Sequence, residues 1–399
     1  MSKTTIVGGK IIETTGGDFN IYAKENIVYF AATTITETGV EKGVNFGEPQ
    51  TYQNTEKPEV AIKMIDTVFL PLGIFSFKGE KENSKIQFEI KCKKGEASGL
   101  TFSIKREGNA IFSKSIDQTL ASGAKTIVEW DGFSDARIYD STFFVDGSLT
   151  AEVSNGEAQA SKKIEFKYKE VDWVDLKIDD NAKKADVTLR VNLKEAEISP
   201  TSSKTFDQLV ALSIDGLKLY WGRNKTRSVG NSVQINGADY EITVNPINTA
   251  EKSMPALNVY SKTENYGRSR NWWASRKLFF NDGYHASIYA QMTAPPAGSP
   301  ALEDEKEFKH TAAHEIGHEI LQEYGGKYEY SYVHKDSSTL FTQSVKPEST
   351  LPATGEIDLM KYYSDDPFFY RDRIDFYNRN VAHEKDVQGL LWCSKLKTR

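Results

Sequence analysis

The stretch from Ser299 to Gly326, SPALEDEKEFKHTAAHEIGHEILQEYGG, decides how the rest of the chain is read. Ser299 can cap a helix, Pro300 fits its first position, and Gly325-Gly326 supplies a stop, so a helix is expected from about Ala301 to Tyr324. Glu303, Asp304, Glu305 and Glu307 fall in the first turns, where the helix dipole favours acidic groups. Phe308, Ala312, Ile316, Ile320 and Tyr324 recur every four residues and would bury one face. His314 and His318 form a separate row.

His314-Glu315-Ile316-Gly317-His318 fits the pattern HExxH. Spacing i, i+4 stacks the two imidazoles one turn apart on one face, and both can ligate one tetrahedral Zn²⁺ through nitrogen. Glu315 lies beside them, within reach of a water on the metal. Zinc lowers that water's pKa toward 7, the carboxylate takes its proton, and the resulting hydroxide attacks a carbonyl that the metal polarises. The chain has six histidines in 399 residues, and chance places an HExxH in about one such chain in a hundred.

Such a site needs a third protein ligand. His334, beyond the glycine stop in the Tyr-rich segment Tyr328–Tyr332, is the favoured donor. The eight residues from Gly326 span up to about 27 Å when extended, enough to fold back. Glu323, Glu356 and Asp358 are the alternatives. His310 lies in the same row, but a residue two turns from His318 is about 11 Å away along the axis. It is expected beside the ligands or exposed. His285 and His383 carry no motif and read as structural.

Working outward, 39% apolar and 27% charged residues exclude general disorder. A net charge of -6 argues against a broad nucleic-acid or anionic-membrane surface. Two cysteines, Cys92 and Cys393, exclude a disulfide scaffold and a Cys-rich zinc finger. No apolar run is long enough to span a membrane, and the N-terminus MSKTTIVGGK lacks the apolar core of a signal peptide. These features suggest a chain made in the cytoplasm, whose export would need a specialised route.

Three regions are expected. Residues 1–56 are glycine-rich short strands with little core. Residues 57–170 alternate with period two, as in Ile86, Phe88, Ile90 and Cys92, and read as an immunoglobulin-like β-sandwich. Residues 171–399 mix α and β. There Phe206–Leu217 follows helical spacing, and Val233–Val244 reads as a hairpin across Asn236-Gly237. Leu257–Tyr260 and Ala286–Gln291 read as strands, and a last helix carries Val387, Leu390 and Leu391. Two basic-aromatic groups, Arg268–Lys277 and Trp221–Arg227, read as a cleft wall, a nucleic-acid patch or loops around buried tryptophans.

HEIGH, followed by Gly355-Glu356-Ile357-Asp358-Leu359-Met360-Lys361-Tyr362-Tyr363, resembles the metzincin zinc peptidases. The resemblance implies an α+β peptidase fold, a methionine turn at Met360 beneath the metal, and Tyr362 contacting the metal or the transition state. The sequence departs from the clan's HExxHxxGxxH, since Tyr324 stands where its third histidine would be. The series HEIGHEILQEYGG, YSYVHK, GEIDLMKYY and HEKDVQGLLW resembles metallopeptidase effectors of Bacteroidota. The N-terminal 50 residues resemble leaders of proteins linked to contractile injection or type VI secretion machinery. These resemblances imply a secreted or injected, toxin-like zinc metalloendopeptidase acting on a protein or peptide, with a secretion apparatus and a cognate immunity protein as partners. A cell-wall peptide hydrolase and a non-enzymatic tip or adhesin-like module are the rival readings.

Overall fold

Side chains that alternate between core and solvent build the first half of the fold. The computed structural model describes residues 57–292, 298–365 and 373–398. The leader expected over 1–56 lies outside the described residues. Described residues from Pro58 onward belong to one compact unit. Its first strands are β1 (Glu59–Met64), β2 (Ile86–Lys94), β3 (Leu100–Arg106), β4 (Asn109–Ile116), β5 (Lys125–Trp130), β6 (Ile138–Asp140), β7 (Leu149–Ser154) and β8 (Gln159–Lys163). All but β6 form two antiparallel sheets, β1-β2-β5 and β8-β7-β3-β4. Ile86, Phe88, Ile90 and Cys92 are fully buried, so the period-two face of β2 is the core face. Phe88 of one sheet meets Phe102 of the other at 5.1 Å between ring centroids. Trp130 stacks on Phe144 at 5.5 Å.

The second half adds β9 (Val174–Asp179), β10 (Lys184–Val191), β11 (Leu193–Glu197), β12 (Val233–Ile235), β13 (Ala238–Asn248), β14 (Leu257–Lys262), β15 (Arg270–Trp272) and β16 (Ser275–Asn281). Its helices are α1 (Phe206–Trp221), α2 (Tyr284–Ala290), α3 (Pro300–Gly325), α4 (Arg373–Arg379) and α5 (Glu384–Trp392). A five-stranded sheet runs β12-β13-β10-β9-β6 and a four-stranded one β11-β14-β16-β15. Parallel and antiparallel pairs are mixed: β10 with β13, β11 with β14 and β14 with β16 are parallel. The two halves share strands. β6 pairs with β9, and Leu396–Lys397 pairs with both Val68–Phe69 and Tyr168–Lys169.

Ala286–Gln291, expected as a strand, is instead mostly helix α2. The reason is a tertiary partner: the Asp304 carboxylate accepts the N–H groups of Gly283 and His285 at 2.9 and 3.1 Å, satisfying the donors that open a helix. α1 opens with a reciprocal capping box between Thr205 and Gln208. It fixes α3 through Trp221, whose Nε1–H donates to Ala313 O at 3.1 Å from full burial. Cys92 and Cys393 are free and buried. Among the described residues, no helix is long and apolar enough to cross a membrane.

Candidate metal centre

α3 ends at Gly325, and Gly326 takes φ of +94°, a value open to glycine. The chain reverses through the single turn Lys327–Ser331 and brings His334 back beside the helix. The ring nitrogens of His314, His318 and His334 then lie within 4.8 Å of one another, and all three residues are buried.

Hydrogen bonds fix the inner nitrogen of each ring. His314 Nδ1 lies 2.8 Å from Leu359 O. A carbonyl only accepts, so this nitrogen carries the proton and Nε2 keeps its lone pair. His318 Nδ1 lies 3.0 Å from Ser331 Oγ, whose own proton goes to His318 O at 2.9 Å. The serine therefore accepts, and His318 Nε2 also keeps its lone pair. His334 Nδ1 lies 2.8 Å from Ser338 Oγ. Nε2 of His314 and of His334 is buried with no hydrogen-bond partner. Orphaned buried acceptors are costly. Three neutral imidazoles anchored at Nδ1, two of them with an unpartnered buried Nε2, suit a cation-binding site. Burial pushes all three imidazoles below their ordinary pKa, which keeps them neutral. The group can hold a metal ion, and its all-imidazole chemistry suits a transition metal rather than calcium or magnesium.

His334, Lys335 and Asp336 all have positive φ, +49°, +57° and +67°. Such a run in non-glycine residues is strained and persists only when its surroundings hold it. Lys335 Nζ, nearly buried, supplies that hold by pairing with Asp358 and, at 2.7 Å, with Asp386. Asp358 also accepts Met360 N–H at 3.0 Å, shaping the methionine turn. Ser337 Oγ donates to His334 O at 2.6 Å and accepts Tyr362 N–H at 2.9 Å. One serine thus ties the strained turn to the Tyr362 backbone. Met360 is fully buried beneath the helix: a Cβ on Gly317 would lie 2.6 Å from Met360 Sδ. Only glycine in HEIGH allows that approach.

Tyr362 stacks on His334 with ring centroids 3.7 Å apart and on His314 at 5.6 Å. Burial, and then the Glu315 charge, raise its phenol above the ordinary value. Glu315 is buried next to the triad, and burial pushes its carboxyl up to about 8. The Asn271 backbone N–H and the charges of Arg268 and Arg270 oppose that rise. Asn271 Nδ2 also donates to Glu315 O at 2.8 Å, which ties β15 to the helix at this residue. A cavity of about 200 Å³ opens beside the site, with His314, Glu315, Tyr362, Thr311 and His310 among its lining.

The other expected residues fall elsewhere. Glu356 is held by both Arg223 nitrogens at 2.8 and 2.9 Å and by Gly230 N–H. Asp358 is committed to Lys335 and Met360, and the described residues group neither carboxylate with the triad. His310 stacks 6.5 Å from His314, and burial lowers it to about 3. In the second basic-aromatic group, Arg227 donates to Leu219, Asn378 and Asn380 carbonyls and so ties loops together. Sequence reasoning did not find Ser331, Ser338, Ser337 or Lys335, which carry no spacing signal. Arg268 and Asn271 stand in the basic-aromatic stretch that reads as a cleft wall.

No family model matches the chain, and no curated protein matches it. Among solved structures, β-glucuronidase of Ruminococcus gnavus in complex with uronic isofagomine is 10% identical, covers 68% of this chain and 37% of its own, and has a TM-score of 0.14. β-D-Glucuronidase of Dictyoglomus thermophilum is also 10% identical, with 72% and 43% coverage and a TM-score of 0.14. The chain thus spans well under half the length of these glucuronidases, and a likeness at that TM-score carries no argument about fold or activity.

Proposed function

We propose that the chain is a metzincin-like zinc metallopeptidase. The observation that supports this reading best is the convergence of three buried imidazoles, two of them unpartnered at Nε2, beside a buried carboxylate on the wall of an open cavity. A zinc ion held by His314, His318 and His334 would polarise the scissile carbonyl and acidify water. Glu315 takes the proton from that water and returns it to the leaving amine. A dication held by the three histidines would lower the Glu315 carboxyl from its raised value and would let it act as the base at neutral pH. Tyr362 keeps its phenolic proton throughout that range and donates to the developing oxyanion.

Glu315→Gln tests the reading. The variant is expected to retain zinc and to lose peptidase activity by roughly 10²–10⁴-fold. Unchanged turnover at full zinc content would overturn it. Delivery by a contractile injection or type VI-like apparatus is part of the same proposal and rests on the leader's resemblance. Deleting residues 1–56 should abolish loading onto such an apparatus and leave peptide cleavage largely intact. Loss of zinc on that deletion would contradict the separation of leader and site.

A further inference from the structure

The chain is acidic overall, at -6, yet exposed cations stand on its cavity beside the carboxylates Asp304, Glu307 and Glu315. Arg268 and Lys361 line the cavity together with His314, Glu315 and Tyr362. Arg270, two residues on from Arg268, acts on Glu315 from β15. None of the three cations forms an ion pair among the described residues, and the Arg268 guanidinium reaches only Gln343, at 3.3 Å, and the Tyr362 phenol.

The acidic groups near the cavity are already committed. Asp304 accepts the N–H groups of Gly283 and His285 and contacts the His285 ring at 2.5 Å. Glu307 lies 3.5 Å from Tyr266 Oη and 3.4 Å from His285 Nε2. Glu315 is the base.

The placement of Arg268 is built into the fold. Gly267 N–H donates to Asn281 Oδ1 at 2.7 Å, and Asn281 Nδ2 donates back to Gly267 O at 3.0 Å. Ser269 Oγ accepts Phe279 N–H at 2.9 Å. The residues on both sides of Arg268 are therefore clamped to β16, and Arg268 lines the same cavity as His314, Glu315 and Tyr362.

We propose that Arg268, supported by Arg270 and Lys361, binds a carboxylate of the substrate beside the bond to be cleaved, so that the site selects anionic peptides. The inference rests on the peptidase reading and names the substrate class of that same site. A planar guanidinium matches a carboxylate with two parallel hydrogen bonds, and its charge persists at every working pH. The carboxylate comes either from an Asp or Glu side chain or from a free C-terminus.

Peptide binding to the full chain, stripped of metal by chelator, tests this without turnover, and any metal–carboxylate bond is thereby removed. The first pair of fluorescent peptides is capped at both ends and differs only by Glu or Gln at the centre. The second pair is neutral in its side chains and ends in a free carboxylate or an amide. In at least one pair the carboxylate peptide should bind about 10-fold tighter than its twin, and the pair that responds identifies the source. Arg268→Gln should collapse that ratio toward one, with Arg268→Lys intermediate. Twins that bind alike, or not at all, overturn the proposal, as does a preference that survives Arg268→Gln. Digestion of the same peptides by the zinc-loaded chain separates the two readings. Selective binding without cleavage removes the peptidase and keeps the carboxylate site; cleavage without selectivity does the reverse.

Discussion

His285 and His334 are both completely buried, yet only one is available to a metal. His285 Nδ1 contacts Asp304 at 2.5 Å, and its Nε2 makes no hydrogen bond but lies 3.4 Å from the Glu307 carboxylate, with no other imidazole grouped with it among the described residues. The ring fastens α2 to the first turns of α3. His334 spends one nitrogen on a serine hydroxyl and leaves the other without a partner, beside His314 in the same condition and His318 within the same group. Burial alone therefore does not mark a ligand. The mark is a second and third imidazole within reach, each anchored at Nδ1, a grouping that is unfavourable until a cation completes it.

Substitutions sharpen the contrast. His334→Ala should lower zinc affinity by more than about 100-fold, beyond what outer partners usually contribute. Competition with a chelator measures it, and near wild-type affinity would mean that another residue completes the site. Ser331→Ala removes the group that sets the His318 tautomer, and should weaken zinc about 10–100-fold with the fold intact. His285→Gln should leave zinc affinity within about threefold but destabilise the chain by about 1–3 kcal/mol, because Asp304 and Glu307 lose their buried partner. A large loss of zinc in that variant would erase the distinction between the two regions.

The pH response of the metal-free chain follows from the same burial. Folded His310 titrates near 3, and the three ligands also titrate below their ordinary value. The unfolded chain takes protons at about 6.5, so below that pH it binds protons the fold refuses, and stability falls. Glu315 works the other way. Its folded value of about 8 lies above the unfolded one, so its contribution is present below about 4.5 and fades as pH rises through 8. Four imidazoles outweigh one carboxyl, and the urea midpoint of metal-free protein should be lower at pH 5 than at pH 7. An equal or higher midpoint at pH 5 would show that the imidazoles are solvated.

The pattern of legibility has a physical cause. The helix carrying HEIGH could be read because Pro300, periodicity and glycine stop are local; Ser299 stands at its N-cap without a side-chain capping bond, and the structure ends the helix at Gly325, one residue beyond the expected end. The alternation of β2 was equally local. α2 was misread because its start depends on Asp304, a side chain from another element. The supports of the triad were hidden for the same reason: Leu359 O, Ser331 and Ser338 meet the rings through the fold, at no fixed spacing. The left-handed run His334–Asp336 has no glycine to announce it, and its stabilising pairs come from Asp358 and Asp386, far along the chain.

X-ray absorption at the zinc edge of the reconstituted full chain tests the centre most directly. The account expects one zinc per chain, with three imidazole nitrogens at about 2.0–2.1 Å, and loss of one imidazole from the first shell in His334→Ala. A shell containing two imidazoles and a carboxylate from Glu356 or Asp358, unchanged by His334→Ala, would contradict it.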